Sequence, residues 1–408
     1  MKSVDKHLSA ILDAVQPLAP IGLQLLDAHG CLLDEDVVAV GDLPAFDNSS
    51  MDGYAVCMAD VRDASEETPG VLPVVGDVAA GDTDPQRIVP GMAFRVMTGA
   101  PVPAGTQAVV PLEWTDQGLA TVHVMRAPEE GSYLRLRGDD VTAGETVLRA
   151  GTLLGAPQIG LLAAIGRDVV RARPRPRVVV LSTGSELVEP GATTPLPGQI
   201  PDANSFMLTA AAREAGAIAY RVGIVPDDGA VVLDTLEDQL IRADAVVTSG
   251  GVSVGAYDVV KEVLSRLGTV TFGEVAMQPG KPQGFGAIGA DATPIFTLPG
   301  NPVSAYVSFE IFVRPAIRRM LGLASLHRPT LRARCLERMA SPKGKRQYAR
   351  GWYESADDDP TVRPVGGAGS HLIGDLAQAN CFIVVPEDTV EVTPGQTVDA
   401  VLLDRPMP

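Results

Sequence analysis

The sequence predicts a multidomain α/β protein built around a mostly parallel sheet covered by helices on both faces. Three observations predict it. Between residues 178 and 320, short apolar segments alternate with helix-length amphipathic ones, the pattern of strands joined by helical crossovers. Before and after that stretch the chain breaks into short β-rich runs separated by turn residues. The length of 408 residues also exceeds the roughly 250–300 at which a single core stops growing.

Taken in order, residues 3–30 read as helical, with Leu8, Ile11, Leu12 and Val15 at helix spacing, then Leu23, Leu25 and Leu26. From Val37 to about Leu148, the runs Val71–Val75, Ala93–Met97, Ala108–Pro111 and Leu119–Val124 indicate a β-rich insertion. Ala156 to Ile165 reads as a further helix, ended by Gly166. It is expected to pack on the N-terminal helices, giving a helical domain made from two pieces of chain. The basic, proline-stiffened run Arg171–Arg177 reads as a linker.

The α/β series then begins with a strand at Val178–Leu181 and a helix at Asn204–Ala215, stopped by Gly216. A strand near Arg221–Val225, a helix from Asp228 to Ile241, a strand at 245–248 and a helix at 257–267 follow. The strand Pro294–Leu298 and a long helix from Val303 to Met320 complete it. The tail, with strands Phe382–Val385 and Val398–Leu402, reads as a small β-barrel or sandwich. The expected domains are 1–43 with 142–172 (helical), 44–141 (β-rich insertion), 173–323 (α/β) and 324–408 (β-barrel-like).

Composition narrows the function. A net charge of −17 argues against nucleic acid and anionic membrane as partners, since both need basic surfaces. No apolar run approaches the roughly 20 residues of a membrane span. The N-terminus lacks the apolar stretch of a signal peptide, and Cys31, Cys57, Cys335 and Cys381 form no C-x-x-C pair. The chain is expected to be cytoplasmic.

Ser249-Gly-Gly-Val-Ser-Val-Gly-Ala-Tyr-Asp258 lies between a strand and a helix, where glycines let backbone N–H groups approach an anion. Ser249, Gly250, Gly251, Ser253 and Gly255 are its candidate ligands, with Asp258 as a carboxylate beside them. Two more loops leave strand ends, Ser182-Thr-Gly-Ser-Glu186 and Leu298-Pro-Gly-Asn-Pro-Val-Ser-Ala305. In the second, Asn301 suits an N-cap and Pro302 the first helical turn. Ligands on such sheets sit outside the C-terminal strand ends, so the three loops should share one edge. An N-cap explains one of Asp227 and Asp228, and leaves the other for a metal or substrate. Lys281, in Gln278-Pro-Gly-Lys281-Pro, can serve an oxyanion as a point charge. The insertion adds Asp52, Thr98 and Glu113 near bends. Carboxylates from several loops around an anion loop suggest a divalent ion such as Mg²⁺.

Seven ordered motifs carry a resemblance. They are Phe46-Asp-Asn-Ser-Ser-Met-Asp-Gly-Tyr-Ala, Met97-Thr-Gly-Ala-Pro-Val-Pro, Gly138-Asp-Asp, Ser182-Thr-Gly-Ser-Glu-Leu, Ser249-Gly-Gly-Val-Ser-Val-Gly, Pro279-Gly-Lys-Pro and Leu298-Pro-Gly-Asn-Pro-Val-Ser. Together, from about residue 5 to 395, they resemble the molybdopterin molybdenumtransferase (MoeA) family, which includes the gephyrin E-domain.

The resemblance implies a three-layer α/β/α molybdopterin-binding domain in a four-domain subunit. It implies a homodimer in which that domain faces the partner's β-rich insertion. The implied reaction takes adenylylated molybdopterin and molybdate to molybdenum cofactor with release of AMP, supported by Mg²⁺. Asp52, Thr98, Glu186, Asp228, Asp258 and Lys281 match catalytic positions. Pro299, Gly300, Asn301, Ser304 and Ser370 join the glycine loop as substrate contacts. Glu186, Asp228, Asp258 and Asp140 are the implied metal ligands, and Lys281 and Ser370 the molybdate contacts. A molybdopterin adenylyltransferase and apo-molybdoenzymes are the protein partners expected with this role. Gln278 stands where many members carry a basic residue, and Asp139 where Glu is more usual. The competing readings are a carrier or scaffold of the same fold, and the adenylyltransferase itself. The β-rich insertion and C-terminal β domain favour the transferase over the latter.

Overall fold

The computed structural model describes residues 1–84, 86–191, 195–251, 259–266, 269–355 and 359–403. The chain forms two compact units: residues 1–21, 30–32 and 172–408, and residues 22–29 and 33–171. Among the described residues, no helix is long and apolar enough to cross a membrane.

The first unit is organised by a six-stranded sheet in the order Ile218–Val225, Arg177–Thr183, Ala245–Ser249, Thr293–Leu298, Pro282–Ile288, Val270–Glu274. The first four strands are parallel and the last two antiparallel. Side chains alternate across the sheet as a period of two requires. Val178, Val180 and Val247 face a core with Leu208, Ala212, Val307 and Phe312. Val179, Leu181 and Val246 face a second core with Val232, Leu236, Val260 and Leu264. Helices Asn204–Glu214 and Pro302–Ser308 cover one face, and Gly229–Leu240 and Val259–Arg266 the other. This is the three-layer arrangement expected. The two antiparallel strands at this end of the sheet were not legible, because Gly273, Gly284 and Gly286 interrupt their apolar pattern.

The long helix reaches Met320 but contains a π segment at Phe309–Val313. There the buried Glu310 accepts from Arg328 Nε at 2.6 Å and Nη2 at 3.1 Å. In the tail, Arg346–Glu354, Thr361–Pro364, Thr330–Cys335, Thr397–Leu402 and Cys381–Val385 pair in turn, and the last strand pairs back to the first. That closure makes a small barrel, filled by Ala333, Cys335, Tyr353, Val362, Ile383 and Ala400.

One sequence expectation needs correction. Helix over 3–30 holds only for Val4–Ala14, with Ser3 accepting from Lys6 N at 3.2 Å. Pro17 and Pro20 then lack the N–H a helix needs, and Ile21–Gln24 is a strand. The helix packs through Val4, Ile11 and Val15 into the first sheet face. The basic run 171–177 spans the boundary between the two units, as a linker does, and it is held in place. It joins strands Val169–Arg173 and Arg177–Thr183, and Arg175 donates to the carbonyls of Gly216 and Ala217 at 2.9 Å each.

The second unit holds a five-stranded sheet in the order Ala108–Pro111, Gly53–Val56, Ala93–Val96, Gly70–Val78, Thr121–Val124. Tyr54, Val56, Leu72, Val110 and Val122 fill one side of it. Helix Ala156–Ala164 also lies in this unit.

Candidate functional site

A cleft of about 1060 Å³ opens at the C-terminal ends of the parallel strands in the first unit, where the topology of such sheets places ligands. The strand-end loops expected to meet there do meet. Gly250 N donates to Leu298 O at 3.2 Å, and Ser249 Oγ to Pro299 O at 3.3 Å. Gly250 has φ +95°, and a Cβ on it would stand 2.4 Å from the Thr183 carbonyl oxygen. Only glycine lets the three loops close to this spacing.

A fourth strand-end segment, missed in the sequence, ties them together. Asn204 Nδ2 donates to Ser249 Oγ at 2.8 Å and to Gly300 O at 2.5 Å. Two residues earlier, Asp202 is 1% exposed. It accepts from Ser182 Oγ at 2.9 Å, Ser205 N at 3.1 Å and Ser205 Oγ, and pairs with Arg221 at 3.3 Å. Those partners fix the start of the 182–186 loop.

Of the carboxylates, Glu186 and Asp227 line the cleft together with the buried Asp202. Asp227 Oδ2 accepts from Ser185 N at 3.0 Å. Asp228, expected as a catalytic residue and metal ligand, caps helix Gly229–Leu240 through Oδ1, accepting from Ala230 N at 2.9 Å and Val231 N at 3.1 Å, and is not among the residues that line the cleft. The adjacent pair therefore divides as one N-cap and one cleft residue, with Asp227 in the second role. Among the described residues, no three His, Cys, Asp or Glu side chains group as a metal site.

Lys281 lies on the rim, 2.7 Å from Glu274. Its loop closes through Val275 N to Lys281 O at 2.8 Å, with Gly280 at φ +95°. Gln278 lines the cleft and pairs in register with Gln347 of the barrel. The barrel supplies Lys345, Ser370 and His371 to the lining. Ser370 Oγ accepts from Asn301 Nδ2 at 2.8 Å, and Ser370 O from Val303 N at 3.0 Å. Beneath it the buried Arg350 donates to Gly369 O at 3.0 Å and to Gly367 O, and burial pushes its guanidinium below the ordinary value.

Pro299, Gly300, Asn301 and Ser304 complete the lining, with Ser249, Gly250 and Gly251. Ser253, Gly255 and Asp258 lie outside the described residues. Lys345, Arg350 and His371 could not be placed from the sequence, because only the tertiary pairing of the barrel brings them here. Asn204 carried a usable signal: it opens a helix just after a strand end, like the loops that were found.

Asp52, Thr98 and Asp140 belong to the second unit. Thr98 donates through N at 2.6 Å and Oγ1 at 2.7 Å to Asp52 Oδ1, and these bonds hold the Asp52 carboxyl below the usual carboxylate range. Asp139 Oδ2 accepts from Leu136 N at 2.6 Å, and Asp140 N donates to Leu43 O at 3.0 Å. That turn leaves the Asp140 carboxylate without a protein partner among the described residues.

Residues 2–166 match the MoeA N-terminal region (domain I and II), 179–319 a probable molybdopterin binding domain, and 332–403 the MoeA C-terminal region (domain IV). Molybdopterin molybdenumtransferase 2 of Mycobacterium tuberculosis is 45% identical over 402 residues, covering 97% of this chain and 98% of that one. Molybdopterin molybdenumtransferase 1 of the same organism is 42% identical over 424 residues, covering 99% of each. A crystal structure of the molybdopterin biosynthesis MoeA protein from Pyrococcus horikoshii superposes with a TM-score of 0.71 at 28% identity, covering 98% of this chain and all of that one.

Proposed function

This chain belongs to the MoeA family of molybdopterin molybdenumtransferases, and from that premise we propose that its cleft inserts molybdenum from molybdate into adenylylated molybdopterin, with release of AMP. The observation that carries this reading is the convergence of the strand-end loops on one cleft, with backbone glycines on one side and Lys281 and Lys345 on its rim. Backbone amides of a glycine loop suit a phosphate. A lysine suits a second oxyanion beside it, as a point charge.

In this reading Gly250, Gly251 and the Pro299–Asn301 turn seat the phosphate groups of the pterin substrate. Asn204 holds those two loops at a fixed spacing. Lys281 and Ser370 seat molybdate, and Arg350 sets the loop on which Ser370 stands. The dithiolene sulfurs that accept the metal belong to the substrate. This fits the burial of Cys31, Cys57, Cys335 and Cys381, none of which is a cleft residue.

The oxygen donors Glu186 and Asp227 are of the kind Mg²⁺ takes, one or two carboxylates completed by substrate phosphates. When bound, the ion would neutralise phosphoanhydride charge. Ser185, through its N–H to Asp227, keeps that carboxylate facing the cleft. The same reading makes the protein a cytoplasmic homodimer in which Asp52, Thr98 and Asp140 serve the partner's cleft, with an adenylyltransferase supplying substrate and apo-molybdoenzymes taking the product.

The test is AMP release by the purified protein given adenylylated molybdopterin and Mg²⁺, with and without molybdate. Molybdate-stimulated release, with a product that activates an apo-molybdoenzyme, is the expected result. Tight binding without AMP release would replace it with a carrier role.

A further inference from the structure

The charges on the cleft rim are unevenly committed. Lys281 faces the cleft, but its ammonium lies 2.7 Å from Glu274 Oε1, in a pair whose side chains are 41% and 46% exposed. The pairing follows from the chain path. Glu274 ends strand Val270–Glu274, Pro282 begins the next, and the two are register partners. The intervening loop is closed at its neck by Val275 N to Lys281 O at 2.8 Å. Residues 274 and 281 therefore stand side by side at that neck while Gln278, Pro279 and Gly280 extend into the cleft. Gln278 brings no charge. Lys345 lines the same cleft and has no carboxylate within ion-pair distance among the described residues.

We propose that Glu274 is a positioning residue that holds Lys281 at the rim and competes with the substrate oxyanion for it. The inference rests on the reading of Lys281 given above and extends it to selectivity. A half-exposed ion pair is cheap to break, because solvent screens it and two long side chains must be held in one geometry. An arriving tetrahedral oxyanion can thus take Lys281 from Glu274, but at reduced affinity. The Lys281 hydrogen bond and charge, with the N-terminal ammonium and then Lys345 adding to them, keep the Glu274 carboxyl below its usual range. Glu274 is then charged, and competing, throughout neutral pH. Molybdate and a phosphate group of the pterin substrate share the chemistry that would be affected.

Calorimetric titration of the full chain with molybdate, and separately with pyrophosphate, tests the proposal without turnover. Glu274→Gln should tighten at least one of them by up to about fivefold, the span such a pair supports, and the arm that responds identifies the anion. The gain should shrink as salt is raised. In a Lys281→Gln background it should fall by at least half. Unchanged or weaker binding in both arms overturns the proposal, as does failure of both wild type and Glu274→Gln to bind either anion. An undiminished gain without Lys281 also overturns it, since Glu274 would then act only as a nearby negative charge. In turnover, Glu274→Gln should alter KM for the responding substrate and leave kcat unchanged. If wild type releases no AMP, the transferase reading fails, and the titrations still decide the role of Glu274.

Discussion

Asn204 donates through one nitrogen to Ser249 Oγ at 2.8 Å and to Gly300 O at 2.5 Å, so a single amide sets the gap between the glycine loop and the Pro-Gly-Asn turn. Ser249 is 2% exposed and keeps its bond to Pro299 O, so the loss is that of two hydrogen bonds at about 0.5–1.5 kcal/mol each. Asn204→Ala should lower unfolding free energy by about 1–3 kcal/mol in urea titration. It should also weaken adenylylated molybdopterin binding by about tenfold, since a factor of ten in Kd is about 1.4 kcal/mol of lost contact. Full retention of substrate affinity would remove Asn204 from the site.

Asp227 and Asp228 should separate in paired variants. Asp228→Asn keeps an oxygen for Ala230 N and Val231 N, and Asn caps about as well as Asp. That variant should retain its stability and most of its AMP release. Asp228→Ala removes the cap and should cost about 1 kcal/mol. Asp227→Asn removes the negative charge from the cleft without touching the helix, and AMP release should fall by about tenfold or more, about 1.4 kcal/mol of barrier. Urea unfolding and AMP chromatography on the same samples read both effects, and the reverse pattern would return the metal-facing role to Asp228.

That division shows where the sequence runs out. One aspartate of the pair had to cap the helix, and the sequence alone left open which one. The strand-end loops were legible because strand, glycine turn and helix start are local signals. Their meeting at one edge followed from parallel topology. Of the barrel's contributions, Ser370 entered through the family resemblance, whereas Lys345 was not legible, because it reaches the cleft only through the pairing of Met277–Gln278 with Arg346–Gln347. Helix length after Ala14 was misjudged because apolar spacing at Leu23, Leu25 and Leu26 outweighed two prolines that end the helix physically.

His7 makes stability depend on acid. It is 7% exposed, edge-on to Phe312 with ring centroids 4.8 Å apart. Burial, with the charge of Lys2 adding, lowers its pKa to about 4 from 6.5. The folded-state value is the depressed one, so the unfolded chain binds more protons in between. The contribution is complete above about pH 6.5 and is lost as pH falls toward 4, with a magnitude on the order of 3 kcal/mol. His7→Leu keeps an apolar side chain against Phe312 and removes the titration. Thermal unfolding between pH 7 and 4 should show a shallower decline in the variant, and parallel curves would rule out His7 as a source of the acid sensitivity.

Gly250→Ala is the most severe single change expected in the cleft. Alanine at φ +95° is strained by itself. Its Cβ would also stand 2.4 Å from the Thr183 carbonyl oxygen, a backbone atom that cannot swing aside. The bond from Gly250 N to Leu298 O at 3.2 Å lies on the same residue, so relief of the clash must pull the glycine loop from its neighbour. The loss should exceed about 1 kcal/mol of stability, with substrate affinity falling further than stability because the phosphate-facing amides move. Gly300→Ala is the contrast: an added Cβ there meets only Gly250 Cα, at 3.7 Å, and should leave both loops in place. Equal effects of the two variants on binding would show that the contact with Thr183 does not determine the loop's position.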